Sequence, residues 1–181
     1  MANKAPSPFK EIDKLTEKHM QVILLHYLLV DLQKPVVIPN IQYVDGNRWE
    51  SDICAVSKSG YASEYEIKID RWDFLRDLRK VHKHRFYSNE KSRLPFKQFY
   101  YVVPEGMVSA DELPEYAGLI YIGQHGNSIK PLNATVKVIK QSPNRKVSKI
   151  TPKKINQINR SLAWKIHNFW LSEVEREVSN G

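Results

Sequence analysis

One cysteine in 181 residues, Cys54, leaves no internal disulfide to be made, which fits a reducing compartment and excludes a covalently stapled scaffold. With no cysteine near it, Cys54 reads as a small packed side chain and not as a nucleophile. His82 and His84 stand two apart, on opposite sides of any helix, so they form no zinc pair. Long apolar runs are missing as well: the longest, Val22 to Val30, is interrupted by His26 and is too short to span a bilayer. No succession of charged, apolar and small residues of the signal-peptide kind opens the chain. The expectation is a soluble, cytoplasmic protein with no membrane partner.

What the chain does hold is positive charge. Lysine and arginine number 28 against 20 acids, a formal charge of +8, and the natural partner of such a surface is a polyanion, most commonly nucleic acid. Hydrophobic residues at 41% and charged residues at 27% are ordinary for a globular protein. The length predicts a single domain over 1–181, with a loose proline-containing arm over 1–9.

Thr16 is a good helix N-cap, with Leu15 and Met20 placed as a hydrophobic staple, and the helix it opens runs to about Leu32. That helix is apolar on nearly every side and therefore buried. Pro35 to Val44 reads as a first strand, and Val44 to Arg48 as a turn. After a central hairpin, Asp70 caps a helix from about Arg71 to Tyr87, with Phe74, Leu78, Val81 and the stem of Arg85 as its inward stripe. Strands come next at Phe99 to Val103, Leu119 to Ile122 and Thr135 to Lys140, with a helical turn near Asp111 to Tyr116 and a reverse turn at Gly123 to Asn127. Lys140 to Lys149 is a basic loop. Thr151-Pro152 starts a last helix, 152–177, whose Ile155, Ile158, Leu162, Ile166, Phe169 and Trp170 read as a stripe facing the core or, as the second choice, a partner.

The central hairpin runs from Trp49 to Asp70, with Lys58-Ser59-Gly60 as its loop. Ser57 then faces Tyr61, Asp52 lies opposite Glu66, Cys54 opposite Glu64 and Glu50 opposite Lys68. Alternation puts Asp52, Glu64, Glu66 and Lys68 on one face and Ile53, Ala55, Tyr65, Ile67 and Ile69 on the other. Clustered acids need protonation, basic neighbours or a bound cation, and carboxylates of this kind suit a hard ion such as Mg²⁺. The same pattern also describes the wet face of an ordinary antiparallel hairpin.

Asp52 on one strand, a turn, then Glu66-Ile67-Lys68 on the next resembles the core of the PD-(D/E)XK nuclease superfamily. The run E-I-K-I-D-R-W-D-F-L-R-D-L-R-K-V-H-K-H, succeeded by F-Y-Y-V-V-P-E, is similar to the MmcB-like DNA-repair proteins of that superfamily, and the likeness spans about residues 36 to 105. The proline of the superfamily name is absent, with Ser51 before Asp52. The resemblance implies an α/β fold with a restriction-endonuclease-like core: a central mixed β-sheet of about four to six strands flanked by helices. It implies hydrolysis of DNA phosphodiester bonds, in repair, recombination or phage DNA processing, with Mg²⁺ or Mn²⁺ as cofactor. In that picture Asp52 and Glu66 hold the metal, Glu50 or Glu64 support it through water, and Lys68 positions the attacking water or stabilises the phosphorus centre. Glu17, in the first turn of the first helix, is carried over as an extra acid, although an acid there also simply complements the helix dipole. Superfamily nucleases that cut both strands often dimerise, so a homodimer is compatible with the resemblance.

Asp73, Asp77, Lys80 and His84 form a second stripe on the helix after the hairpin, either as solvated ion pairs or beside the carboxylates. The same segment supplies Arg71, Arg76, Arg79, Lys80, Lys83 and His84 as candidate nucleic-acid contacts. Phosphate contacts do not distinguish RNA from DNA. The alternative to an enzyme is a non-catalytic nucleic-acid-binding protein that keeps the nuclease fold.

Overall fold

The computed structural model describes residues 15–42, 50–89, 95–124 and 133–180. The expected arm at 1–9, the turn at 44–48 and most of the turn at 123–127 lie outside them. The chain divides into two compact units, the first ending at Lys149 and the second starting at Ile150.

The first unit is built on a six-stranded mixed sheet in sequence order: β1 (Val36–Gln42), β2 (Glu50–Val56), β3 (Ala62–Ile67), β4 (Phe96–Pro104), β5 (Ala117–Gln124) and β6 (Ala134–Lys140). β1, β2 and β3 form an antiparallel meander, β3–β4 and β4–β5 are parallel, and β5–β6 is antiparallel. The parallel step from β3 to β4 needs a long crossover, which α2 (Arg71–Leu78) and α3 (Val81–Ser88) supply. This is the expected α/β architecture.

One face of the sheet takes α1 (Glu17–His26). Thr16 caps it, accepting from the His19 backbone N–H at 3.2 Å, and a wider turn over Tyr27–Asp31 extends it. Met20, Ile23, Leu24 and Leu28 pack there with Ile53, Ala55, Tyr65, Ile67 and Val102. Gly118 of β5 faces the Tyr100 ring so closely that a Cβ would lie 2.5 Å from it, so only glycine fits. On the other face α2 and α3 bring Phe74 and Tyr87 onto Tyr101 and Phe99, with ring centroids 5.2 and 4.6 Å apart.

The path of the crossover corrects two expectations. The single helix predicted from Arg71 to Tyr87 is two, because the chain tightens at Arg79–Lys80, where Lys80 leaves helical geometry at ψ 74°. The break also shifts the phase of every residue after it: Val81, expected inside, is 75% exposed and Arg85 is exposed, while Lys83 and Tyr87 turn inward.

The second unit is described as the helix α4 (Pro152–Asn180). Thr151 caps it, accepting from the Lys154 N–H at 3.3 Å, and Ile158 is buried. The core assignment of Ile166, Phe169 and Trp170 fails, since all three are exposed. The covered part of the stripe ends near Ile158, and the residues beyond it have no second layer to bury them.

Candidate functional site

The hairpin turn forms as its sequence requires. Ser57 faces Tyr61, donating its N–H to the Tyr61 carbonyl at 2.8 Å, and Gly60 takes the left-handed conformation at φ +85°. Cys54 pairs with Glu64, but regular β2–β3 pairing ends at Ile53 and Tyr65. On the other side of β2, the register passes from Pro39–Ile53 to Ile41–Ser51 and skips Asn40 and Asp52. Asn40 sits at φ +49°, one of the few non-glycine conformations of this kind, which asparagine tolerates better than most.

This kink decides where the acids go. Where the ladder has opened, the Asp52 carboxylate takes over its role and accepts the Ile67 backbone N–H at 2.7 Å. Strict alternation fails at this point: Ser51, which by parity belongs with Ile53, donates its hydroxyl to Glu64 at 2.9 Å. The expected Glu50–Lys68 pairing does not form. Glu50 pairs with Gln42 on β1 and is exposed, and β3 has ended before Lys68.

The acidic face of the hairpin is not wet. Glu64 is fully buried and Glu66 and Lys68 nearly so, because α2 and α3 lie over them. A polar layer fills the space between sheet and helices. Lys68 Nζ lies 2.7 Å from Glu66 Oε1, and Lys83 Nζ lies 2.6 Å from Glu66 Oε2 and 3.7 Å from Glu64. Tyr87 donates to Glu64, and Tyr101 donates to Asp77 at 2.7 Å. Asp77 is also engaged by Lys80 at 2.7 Å and, further off, by Lys68 at 3.8 Å. Three buried carboxylates thus share two buried ammonium groups, with Lys80 closing the layer at its rim.

The electrostatics reflect that arrangement. Burial alone would lower Lys68 and Lys83, but the carboxylates around each outweigh it, and both are held above the ordinary lysine value. Burial pushes Asp77 up, and Lys83 and Lys68 more than reverse this, holding its carboxyl well below the usual range. Asp52 stands apart. Burial and the neighbouring Glu66 charge push it up to about 7, against the opposing pull of the Ile67 N–H and Lys68. Glu17, on α1, adds a smaller push in the same direction, so its charge reaches the site. One α-helical turn beyond Glu17, Gln21 donates to the Asn40 side chain at 2.8 Å, which ties α1 to the kink opposite Asp52.

The structure therefore brings Asp52, Glu66 and Lys68 together at the carboxyl end of β3, with Glu17 at the margin and Glu50 apart. Glu64 lies inside the buried layer, held by Ser51, Tyr87 and Lys83. Among the described residues, no group of three His, Cys, Asp or Glu side chains is gathered as a cation cage.

The basic residues divide in the same way. Lys83, expected to contact nucleic acid, is 4% exposed and spent on Glu64 and Glu66, a consequence of the break before α3. Arg71 pairs with Glu112 and donates to the Met107 carbonyl at 3.1 Å, and Arg76 pairs with Asp73 at 2.6 Å. Arg79 and Lys80 are exposed, and His84 is half-buried between Tyr116 and the Asp77 carbonyl. Ser51, Tyr87 and Tyr101 were not foreseen, whereas Asp77 had been placed in the charged stripe of the crossover helix. Its spacing from Lys80 and His84 was the signal.

No family model matches the chain, and no curated protein matches it. Among solved structures, a protein of unknown function from Silicibacter pomeroyi is similar, with a TM-score of 0.58 at 14% identity over 92% of this chain and 96% of that one. This likeness is one of fold. No helix among the described residues is long and apolar enough to cross a membrane.

Proposed function

We propose that this chain is a metal-dependent phosphodiesterase acting on nucleic acid, with Asp52, Glu66 and Lys68 at its centre. The observation that carries the reading is their convergence at the open end of the β2–β3 ladder. There, one oxygen of Asp52 is fixed by the Ile67 N–H while the other has no partner among the described residues.

A divalent cation fits this donor set. Two carboxylates close enough for Glu66 to raise Asp52 repel each other, and a hard dication relieves that repulsion with only one or two inner carboxylates, keeping several waters. Asp52 Oδ1 would hold it, and Glu66, whose oxygens each already accept from a lysine, would share it. When bound, Mg²⁺ or Mn²⁺ supplies a water of lowered pKa and neutralises phosphate charge. The chain's own residues do the rest. Lys68, kept charged by Glu66 and Asp77, stabilises negative charge developing on the phosphate. Lys83 fixes Glu66 from beneath, and the exposed Arg79 and Lys80 meet flanking phosphates. DNA is the proposed substrate, in repair, recombination or phage DNA processing in the cytoplasm; that setting rests on the resemblance.

A second reading has its own observation. Both oxygens of Glu66 are in lysine ion pairs, an arrangement that is complete without metal and suits a nucleic-acid-binding protein that does not cut. Incubation with linear, nicked and branched DNA and with RNA, with Mg²⁺ or Mn²⁺ and then chelator, separates the two. Metal-dependent cleavage lost in Asp52→Asn supports the enzyme, whereas metal-independent binding without cleavage on every substrate favours the second reading.

A further inference from the structure

The distal half of α4 carries apolar side chains that nothing in its own unit covers. Ile166, Trp170, Leu171, Val174 and Val178 recur at spacings of three and four, so they share one side of the helix, and Trp170 is 66% exposed. With Ala163 at its near end, this side forms a shallow apolar hollow. Charge is split along the same helix. Lys153, Lys154, Arg160 and Lys165 occupy its first half without an acid, while Glu173, Glu175 and Glu177 with Arg176 occupy its second half. An acidic, apolar half-helix is a poor surface for nucleic acid or for an anionic membrane. It is complementary to its own reverse.

We propose that this face of α4 pairs antiparallel with the α4 of a second copy of the chain. A two-fold axis between Asn168 and Phe169 sets residues whose numbers sum to 337 against each other. Ala163 then meets Val174, Ile166 meets Leu171, His167 meets Trp170, and Arg160 meets Glu177 at both ends. The small Ala163 leaves room for the larger side chains opposite, and of the basic residues Arg160 and Lys165 fall within the overlap, alongside the acidic half of the other helix. A parallel pairing would set like charges side by side and lose that complementarity. This face shares no residue with the proposed catalytic centre, so cleavage and self-association succeed or fail separately.

Sedimentation velocity of the full chain over a range of micromolar concentrations tests it. The chain is expected to be dimeric, and Trp170→Glu monomeric with an unchanged circular dichroism spectrum. Arg160→Glu and Glu177→Arg, both on the surface, are each expected to weaken the dimer about fivefold, with the double charge swap restoring it. A monomeric wild type overturns the proposal, as does a dimer that survives Trp170→Glu. A double swap no better than its parents overturns the antiparallel register.

Discussion

Replacing Asp52 by asparagine is expected to make the protein more stable above neutral pH, and the structure sets the size and sign of the effect. Asp52 titrates near 3.8 when unfolded and at about 7 in the fold. Between those values the folded chain holds a proton that the unfolded chain has released, so stability falls as pH rises from about 4 to about 7 and is level beyond. At roughly 1.4 kcal/mol per tenfold change in proton concentration, the gap is worth at most about 4 kcal/mol, and water reaching the partly buried side chain reduces it to about 2 kcal/mol. Asparagine keeps an acceptor for the Ile67 N–H and carries no charge for Glu66 to repel. Asp77 loses its contribution only as pH falls below 3.8, and Lys68 only as pH rises past 10.5, so neither disturbs this window. Urea denaturation of wild type and Asp52→Asn at several pH values is the assay, because other titrations cancel in the difference. The two stabilities should agree near pH 4 and diverge by about 2 kcal/mol by about pH 8. Parallel curves over that range would refute the reasoning.

The same buried layer sets two further outcomes. Lys83→Met keeps the length of the side chain but leaves Glu64 and Glu66 without the ammonium between them, so a loss of about 3 kcal/mol is expected in urea unfolding. Lys68→Ala is expected to lower metal-dependent cleavage by about a hundredfold or more while circular dichroism reports a retained fold. A variant cleaving at the wild-type rate would move the centre elsewhere.

Most of the fold was legible because it rests on local signals. Thr16 and Thr151 cap their helices, Gly60 turns the hairpin, and runs such as Phe99 to Val103 are apolar throughout, as strands of a covered parallel sheet must be. The hairpin register was legible as far as Cys54 and Glu64 for the same reason. Beyond that point it was not, since the kink at Asn40 and Asp52 depends on pairing between strands and leaves no local pattern. The buried layer was hidden for a related reason: lysine and glutamate read as solvent-facing, and only the break at Lys80 turns Lys83 inward to meet Glu64 and Glu66. In α4 the error ran the other way. An apolar stripe reads as core whether or not a second layer exists to cover it, and Trp170 has none within its unit.

The central claim is that Asp52 and Glu66 together form a place for a divalent cation, and calorimetric titration of Mg²⁺ in two buffers of different ionisation enthalpy addresses it directly. At about pH 7 the carboxyl of Asp52 is half protonated, so binding should release about half a proton, and the measured heat should change with the buffer. Asp52→Asn should lose that buffer dependence and bind more weakly. Absence of binding by the wild type, or binding that is identical in the variant, would contradict the account.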